Sequence, residues 1–241
     1  EQRIQEAGDP PQRQIASHVG LWLNELGYLF NTLGDLDQAE AMLRKSLEIS
    51  TKLDRLEGMA ANYGNLGLIY HTRGELEQAE AMHRKALEIN TKLGRLEGMA
   101  SAYGNLGLIY KSRGDLQQAE AMHRKALEVN TRLGRLEGMA MQYGNLGLVY
   151  DTRGDLEQAE AMHRKSLELN TKIGWLEGVA NQYANLGIVR AKQADFQGAR
   201  KLWTDAHDIY QRIGMPHMVQ RVQSWLDQLP DEQDQSTLKA V

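Results

Sequence analysis

The octet YGNLGLIY at residues 63 to 70 returns unchanged at 103 to 110, as YGNLGLVY at 143 to 150 and, decayed to YANLGIVR, at 183 to 190. A period of 40 residues that runs through most of a 241-residue chain overrides the expectation of one or two globular domains. A unit this short cannot bury its apolar faces alone, so the copies must bury them against one another.

Each copy reads as two helices. In the first, Tyr63, Leu66, Ile69 and Tyr70 recur at three- and four-residue steps, and in the second Leu76, Ala79, Met82, Ala86, Leu87 and Ile89 trace another apolar stripe. Gly74, Gly114 and Gly154 stand where the first helix should end in a left-handed turn, with Glu75, Asp115 and Asp155 following as N-caps. Asp35 with Gln38, Asp115 with Gln118 and Asp155 with Gln158 have capping-box spacing. Gly94, Gly134 and Gly174 close the second helix ahead of Glu97, Glu137 and Glu177, acids suited to the positive end of a helix dipole.

The spacing therefore predicts five units, at about 17–56, 57–96, 97–136, 137–176 and 177–215. Residues 1–16, with a turn or linker at Gly8, Asp9, Pro10 and Pro11, read as a leader. Pro216 opens a segment in which Met218, Val219, Val222, Trp225, Leu226 and Leu229 share one face; residues 216–230 are expected to be a single capping helix, and 231–241 a flexible tail. At the other end, Trp22 occupies the register of Asn62, Ala102, Gln142 and Gln182. An aromatic in place of these residues predicts that the N-terminal end covers something, either the leading segment EQRIQEA or an upstream domain.

The net charge of −4, with both signs interspersed, supplies no footprint for a nucleic-acid backbone and no basic run for an anionic membrane. No apolar run is long enough to span a bilayer. The absence of cysteine excludes disulfides and thiolate chemistry and is compatible with a reducing, cytoplasmic location. The first residue, Glu1, leaves room for a lost targeting segment.

The letters resemble the tetratricopeptide repeat. Its pattern of W-x2-L-G-x2-Y, A-x3-F and A falls on Tyr63, Leu66, Gly67, Tyr70, Ala79, His83 and Ala86, then on Tyr103, Leu106, Gly107, Tyr110, Ala119, His123 and Ala126. Two departures are a period of 40 rather than 34 and the lack of the family proline after the second helix, near Thr91, Thr131 and Thr171. The long form is most similar to the repeats of kinesin light chain and the Pins/LGN adaptors. The resemblance implies an all-α, right-handed superhelix, an α-solenoid of five helical hairpins plus a C-terminal capping helix. It also implies an adaptor that binds a protein or peptide in its concave groove.

A mid-helix glycine costs about 1 kcal/mol relative to alanine, so units with two need a compensating close approach. Gly27, Gly67, Gly107, Gly147 and Gly187 hold the register where the family's paired helices meet and are read as packing residues. The same register scheme puts Gly64, Gly104 and Gly144 on the inner surface. With them runs the stripe Gly58, Ala61, Asn65, Leu68 and Thr72 and its counterparts. Such a floor would admit an extended backbone, and Asn65, Asn105, Asn145 and Asn185 would offer it paired donors and acceptors. The same amides could instead bridge neighbouring helices. Leu68, Leu108 and Leu148, with Ile188, are expected to be floor, while Glu25, flanked by Asn24 and Tyr28, breaks the ladder in the first unit. His71, Lys111, Asp151 and Ala191 vary within one register and are candidate specificity positions.

Other rows point away from chemistry. Equivalent helices sit roughly 8–10 Å apart, whereas metal ligands must converge to about 2 Å from one ion. His83, His123 and His163, which share a register with Leu43 and Trp203, are therefore read as packing residues. Glu80, Arg84, Glu88 and Lys92 read as a solvated face of i,i+4 pairs, and Arg55, Arg95 and Arg135, with Trp175 as the fourth, as turn residues. Parallel rows of one residue do not converge unlike groups into a catalytic pocket. The chain is thus expected to be a non-enzymatic scaffold without cofactor, metal, nucleic acid or membrane; the alternative is a regulatory or self-association domain of a larger signalling protein that acts through its solenoid ends, with self-association through the N-terminal end.

Overall fold

Helix follows helix with turns of a few residues in the computed structural model, which describes residues 11–230. The chain divides into two compact units, Glu1–Val129 and Asn130–Val241. In the first lie α1 (Pro11–Thr32), α2 (Leu36–Lys52), α3 (Leu56–Thr72), α4 (Leu76–Lys92), α5 (Leu96–Arg113) and most of α6 (Leu116–Leu133). In the second lie α7 (Leu136–Arg153), α8 (Leu156–Ile173), α9 (Leu176–Lys192), α10 (Phe196–Arg212) and α11 (Pro216–Asp227).

Within the first unit α1 packs on α2 and α3 on α4, successive hairpins meet through α2 with α3 and α4 with α5, and α3 also touches both α1 and α5. The first helices of successive hairpins therefore lie side by side. In the second unit α7 packs on α8, α9 on α10, α8 on α9, and α7 touches α9. Here α11 closes the stack: Val222 is fully buried, and Met218, Val219, Trp225, Leu226 and Leu229 pack on the cluster of Ala199, Trp203, Ala206 and Tyr210.

Proline at the start of a helix forfeits no intrahelical bond. Pro11 accordingly opens α1, and residues 11–16, expected to be leader, are helical. The rest of the Gly8 to Pro11 turn, the leading segment and the 231–241 tail lie outside the described residues. Of the expected caps, the Asp35 carboxylate accepts from Gln38 N at 3.1 Å and that of Asp115 from Gln118 N at 3.3 Å. The Asp155 carboxylate makes no such bond and accepts from Arg153 instead.

Among the described residues the turns carry eight glycines with positive φ, but Asp54 (52°) and Ala194 (59°) take the same conformation. Ala194 stands where Gly34, Gly74, Gly114 and Gly154 stand in the other hairpins, and a left-handed non-glycine residue pays about 1–2 kcal/mol in steric strain. Ala194→Gly should raise stability by about 1 kcal/mol after the added freedom of the unfolded chain is subtracted, read as a higher urea midpoint.

Packing between hairpins also uses polar groups. The Glu80 carboxylate accepts from Arg84 Nε at 2.9 Å within α4, and from Tyr110 Oη at 2.7 Å and Arg113 Nη1 at 2.8 Å on α5. Glu40 repeats this with Arg44, Tyr70 and Arg73. Burial alone would raise the Glu40 pKa, but bonds from Arg73, Tyr70 and Arg44 outweigh it and hold the carboxyl at about 2. Half of the supposed solvated face is thus a clamp between hairpins. Glu88 and Lys92 do form the exposed i,i+4 pair expected, at 2.7 Å.

Candidate functional site

The glycine registers fall into distinct physical classes. A Cβ on Gly67 would lie 2.6 Å from His83 Nε2, on Gly107 2.6 Å from His123 Cε1, on Gly147 2.5 Å from His163 Cε1 and on Gly27 2.6 Å from Leu43 Cγ. These glycines let the paired helices touch, and the histidines are the surfaces they touch. At Gly98 a Cβ would meet Asn90 Oδ1 at 2.2 Å, and at Gly58 Ser50 Oγ at 2.6 Å. The Gly58 and Gly98 end of the stripe therefore packs on the preceding second helix while still lining clefts of the first unit.

Gly64 is different, because a Cβ there would meet nothing within 4 Å. It borders a cleft of about 210 Å3 in the first unit, whose walls include Asn65 and Leu68 on α3 and Ser101, Ala102 and Asn105 on α5, over His83, Ala86 and Asn90 of α4. A second cleft, of about 310 Å3, lies among α1, α2 and α3 and shares Glu57, Ala61 and Arg95 with the first. The two clefts therefore adjoin along the row of first helices. In the second unit the corresponding Gly144 is buried, with the Gln182 amide nitrogen 3.2 Å from where its Cβ would be. Gly104 is buried as well, so the three glycines do not form a uniform floor.

Asn65, Asn105, Asn145 and Asn185 are all half-buried, as are Leu68, Leu108, Leu148 and Ile188. Asn65 Nδ2 donates to Asn24 Oδ1 at 3.3 Å, and Asn24 Nδ2 donates to Asn62 Oδ1 at 2.9 Å. Among the described residues, the Asn105, Asn145 and Asn185 side chains make no hydrogen bond. Asn65 thus combines helix bridging with a place on the cleft wall, whereas Asn105 keeps both functions of its amide unspent. In the first hairpin Glu25 and Tyr28 are exposed.

The variable register is partly committed. His71 Nε2 lies 3.4 Å from Ser112 Oγ, and Asp151 is paired by Lys192 Nζ at 2.7 and 2.8 Å. Lys111 is half-buried and Ala191 offers only a methyl group. Sequence reasoning passed over Ala102 as a site residue, although an alanine against Gln142 and Gln182 in one register was the available signal.

Burial, with a smaller contribution from the charge of His71, pushes the His83 pKa down to about 4. Burial also lowers that of His163, against a partial restoring effect of Gln182. Among the described residues no three His, Cys, Asp or Glu side chains group as metal ligands, and no helix is long and apolar enough to cross a membrane.

Against known families, the tetratricopeptide repeat model matches residues 19–92 and 98–172. The chain belongs to the tetratricopeptide-repeat family. Repeats of this family typically serve as protein–protein interaction scaffolds, and they are generally not catalytic. No curated protein matches the sequence significantly. Among solved structures, BtubC (BKLC) from P. vanneervenii is 25% identical, with 84% of this chain and 86% of that one covered at a TM-score of 0.73. The apo form of RapI superposes over 92% of this chain and 81% of its own at a TM-score of 0.80 and 15% identity. A Podosopora anserina protein described as a kinesin light chain with nearly identical TPR-like repeats is 18% identical over 83% of this chain and 97% of that one, with a TM-score of 0.68. The last two likenesses speak to the fold alone.

Proposed function

We propose that these repeats form a non-enzymatic scaffold, cytoplasmic in location, that binds an extended peptide or partner segment along the inner row of first helices. The observation that carries this reading is the pair of adjoining clefts in the first unit, in one of which Asn105 presents an unspent amide beside Asn65 and the open surface of Gly64. Asn145 and Asn185 with Leu148 would extend the same chemistry in the second unit, and Leu68 and Leu108 would supply apolar contact in the first. His71, Lys111 and Asp151 would tune specificity, Asp151 only where a ligand competes with Lys192. Rigid helices present these groups, so little ordering falls on the protein side. Hydrogen exchange on the complex with a peptide selected from a display library tests the placement. Protection is expected in α3 and α5; protection confined to the α2 and α4 outer surfaces would refute it.

One observation favours self-association as a second reading. Ile15, Val19, Trp22, Leu26 and Leu29 on α1, with Leu33 just past its end, are spaced alternately by four and three and are all exposed. Leu26 and Leu29 are 43% and 50% exposed, whereas their counterparts Leu66 and Ile69 on α3 are 2% and 0%. The face that α3 buries on the preceding hairpin is thus uncovered on α1 among the described residues, and a second copy could cover it. Sedimentation should then show a dimer that Trp22→Asn abolishes, and a monomer at all concentrations would exclude it.

A further inference from the structure

We propose that the cleft beside Gly64 receives a primary carboxamide, the side-chain group of an asparagine or glutamine in a bound peptide, seated against His83. The inference deepens the groove reading and rests on it for the peptide, but not for the pocket. His83 is 1% exposed, lines the cleft, and has no hydrogen-bond partner in the protein at either ring nitrogen. A buried polar group is normally satisfied, and leaving one without a partner is unfavourable.

The second unit displays what satisfies this position. His163 occupies the same register, and its Nδ1 lies 2.9 Å from Gln182 Oε1; the carbonyl oxygen only accepts, so that nitrogen donates. The Gln182 amide lies over Gly144, with Ser166 Oγ 3.4 Å from where the glycine's Cβ would be. In the first unit the Gln182 register holds Ala102 and the Ser166 register holds Ala86. Two polar side chains have been cut back to methyl groups while the histidine and the glycine remain. Both methyl groups line the cleft, whose volume of about 210 Å3 exceeds the roughly 30 Å3 share of one water molecule in the liquid.

The walls select among visitors. Asn65 and Asn105 offer neutral amides that need both donors and acceptors, which a carboxamide supplies and a carboxylate does not. Glu57 and Arg95, both exposed on the rim, offset each other's charge. An apolar side chain would fill the space but leave His83 without a partner, and a carboxylate would shed its hydration beside neutral groups.

The test follows the His83 ring resonances by heteronuclear NMR on the full chain. Propionamide, the glutamine side chain in isolation, is titrated against propionate. Propionamide should give a saturable shift at His83, with affinity about tenfold or more above that of propionate. Ala102→Gln, which installs the residue of the Gln142 and Gln182 registers, should abolish the shift; in His83→Leu, which installs the residue of the Leu43 register and removes the reporter ring, the Asn65 and Asn105 side-chain amide resonances should no longer respond to propionamide. Thermal melts establish that both variants fold. No shift in the parent chain, or the same shift in a folded Ala102→Gln variant, would overturn the proposal. A shift at His83 in a chain whose selected peptides protect only the outer helices would retain the pocket and discard the groove.

Discussion

Gly187→Ala should lower stability by about 3 kcal/mol, while Gly64→Ala should leave it unchanged or raise it by up to about 1 kcal/mol. Both glycines lie inside helices, and alanine is the better helix former at each, so propensity predicts the same sign for both. Packing separates them. A Cβ on Gly187 would lie 2.3 Å from both Cδ1 and Nε1 of Trp203. That indole is 5% exposed, donates Nε1–H to Ala184 O at 3.0 Å and is flanked by Trp225 at a centroid distance of 5.5 Å. It cannot retreat without giving up a buried hydrogen bond. At Gly64 the added methyl meets nothing within 4 Å. Urea denaturation of the two variants measures the difference; equal effects would mean that close helix approach does not account for these glycines.

Acidification to pH 5 should destabilise the protein by about 2 kcal/mol through His83 alone, before most carboxylates titrate. The folded pKa, about 4, lies below the ordinary histidine value of 6.5 because the ring is buried. Between these values the unfolded chain binds the proton and the folded chain does not. The stabilisation is therefore complete above about pH 6.5 and is lost as pH falls toward 4. His163, lowered in the same direction, adds to the slope. The Glu40 clamp acts in a lower window, complete above the ordinary carboxylate range and lost as pH falls toward 2. In His83→Leu the difference in urea midpoint between pH 7.5 and pH 5 should shrink by the His83 share. An unchanged slope would mean that the ring is accessible to protons in the native state.

The helices and turns were legible because their signals are local: stripes of period 3.6, a left-handed glycine after every first helix but α9, and Pro216 before the closing helix. The packing role of Gly67 and its equivalents was legible through register. What one unit's letters could not show is which residue of the next unit lies beside them. Glu80 looks like a surface charge until Tyr110 and Arg113 of α5 are placed against it. Gly98 lines the cleft as floor would, and only the structure shows that Asn90 of α4 packs close against it. Ala102 looks like a neutral variation until Gln182 is seen occupying the equivalent space over Gly144 and bonding His163. Trp22 reads as covering the leading segment or an upstream domain; that Ile15, Val19, Trp22, Leu26 and Leu29 of α1 are exposed together among the described residues is visible only once α1 is set beside α3.

The central claim is that the inner row of first helices binds peptide, and its most direct measurement is the dissociation constant of a library-selected peptide for the parent chain and for the Asn65→Ala/Asn105→Ala double variant. Loss of two ligand-facing amides should weaken binding by tenfold or more, on the order of 1.5–3 kcal/mol. Equal affinity in a variant with an unchanged melting profile would contradict the claim and return the asparagines to helix packing.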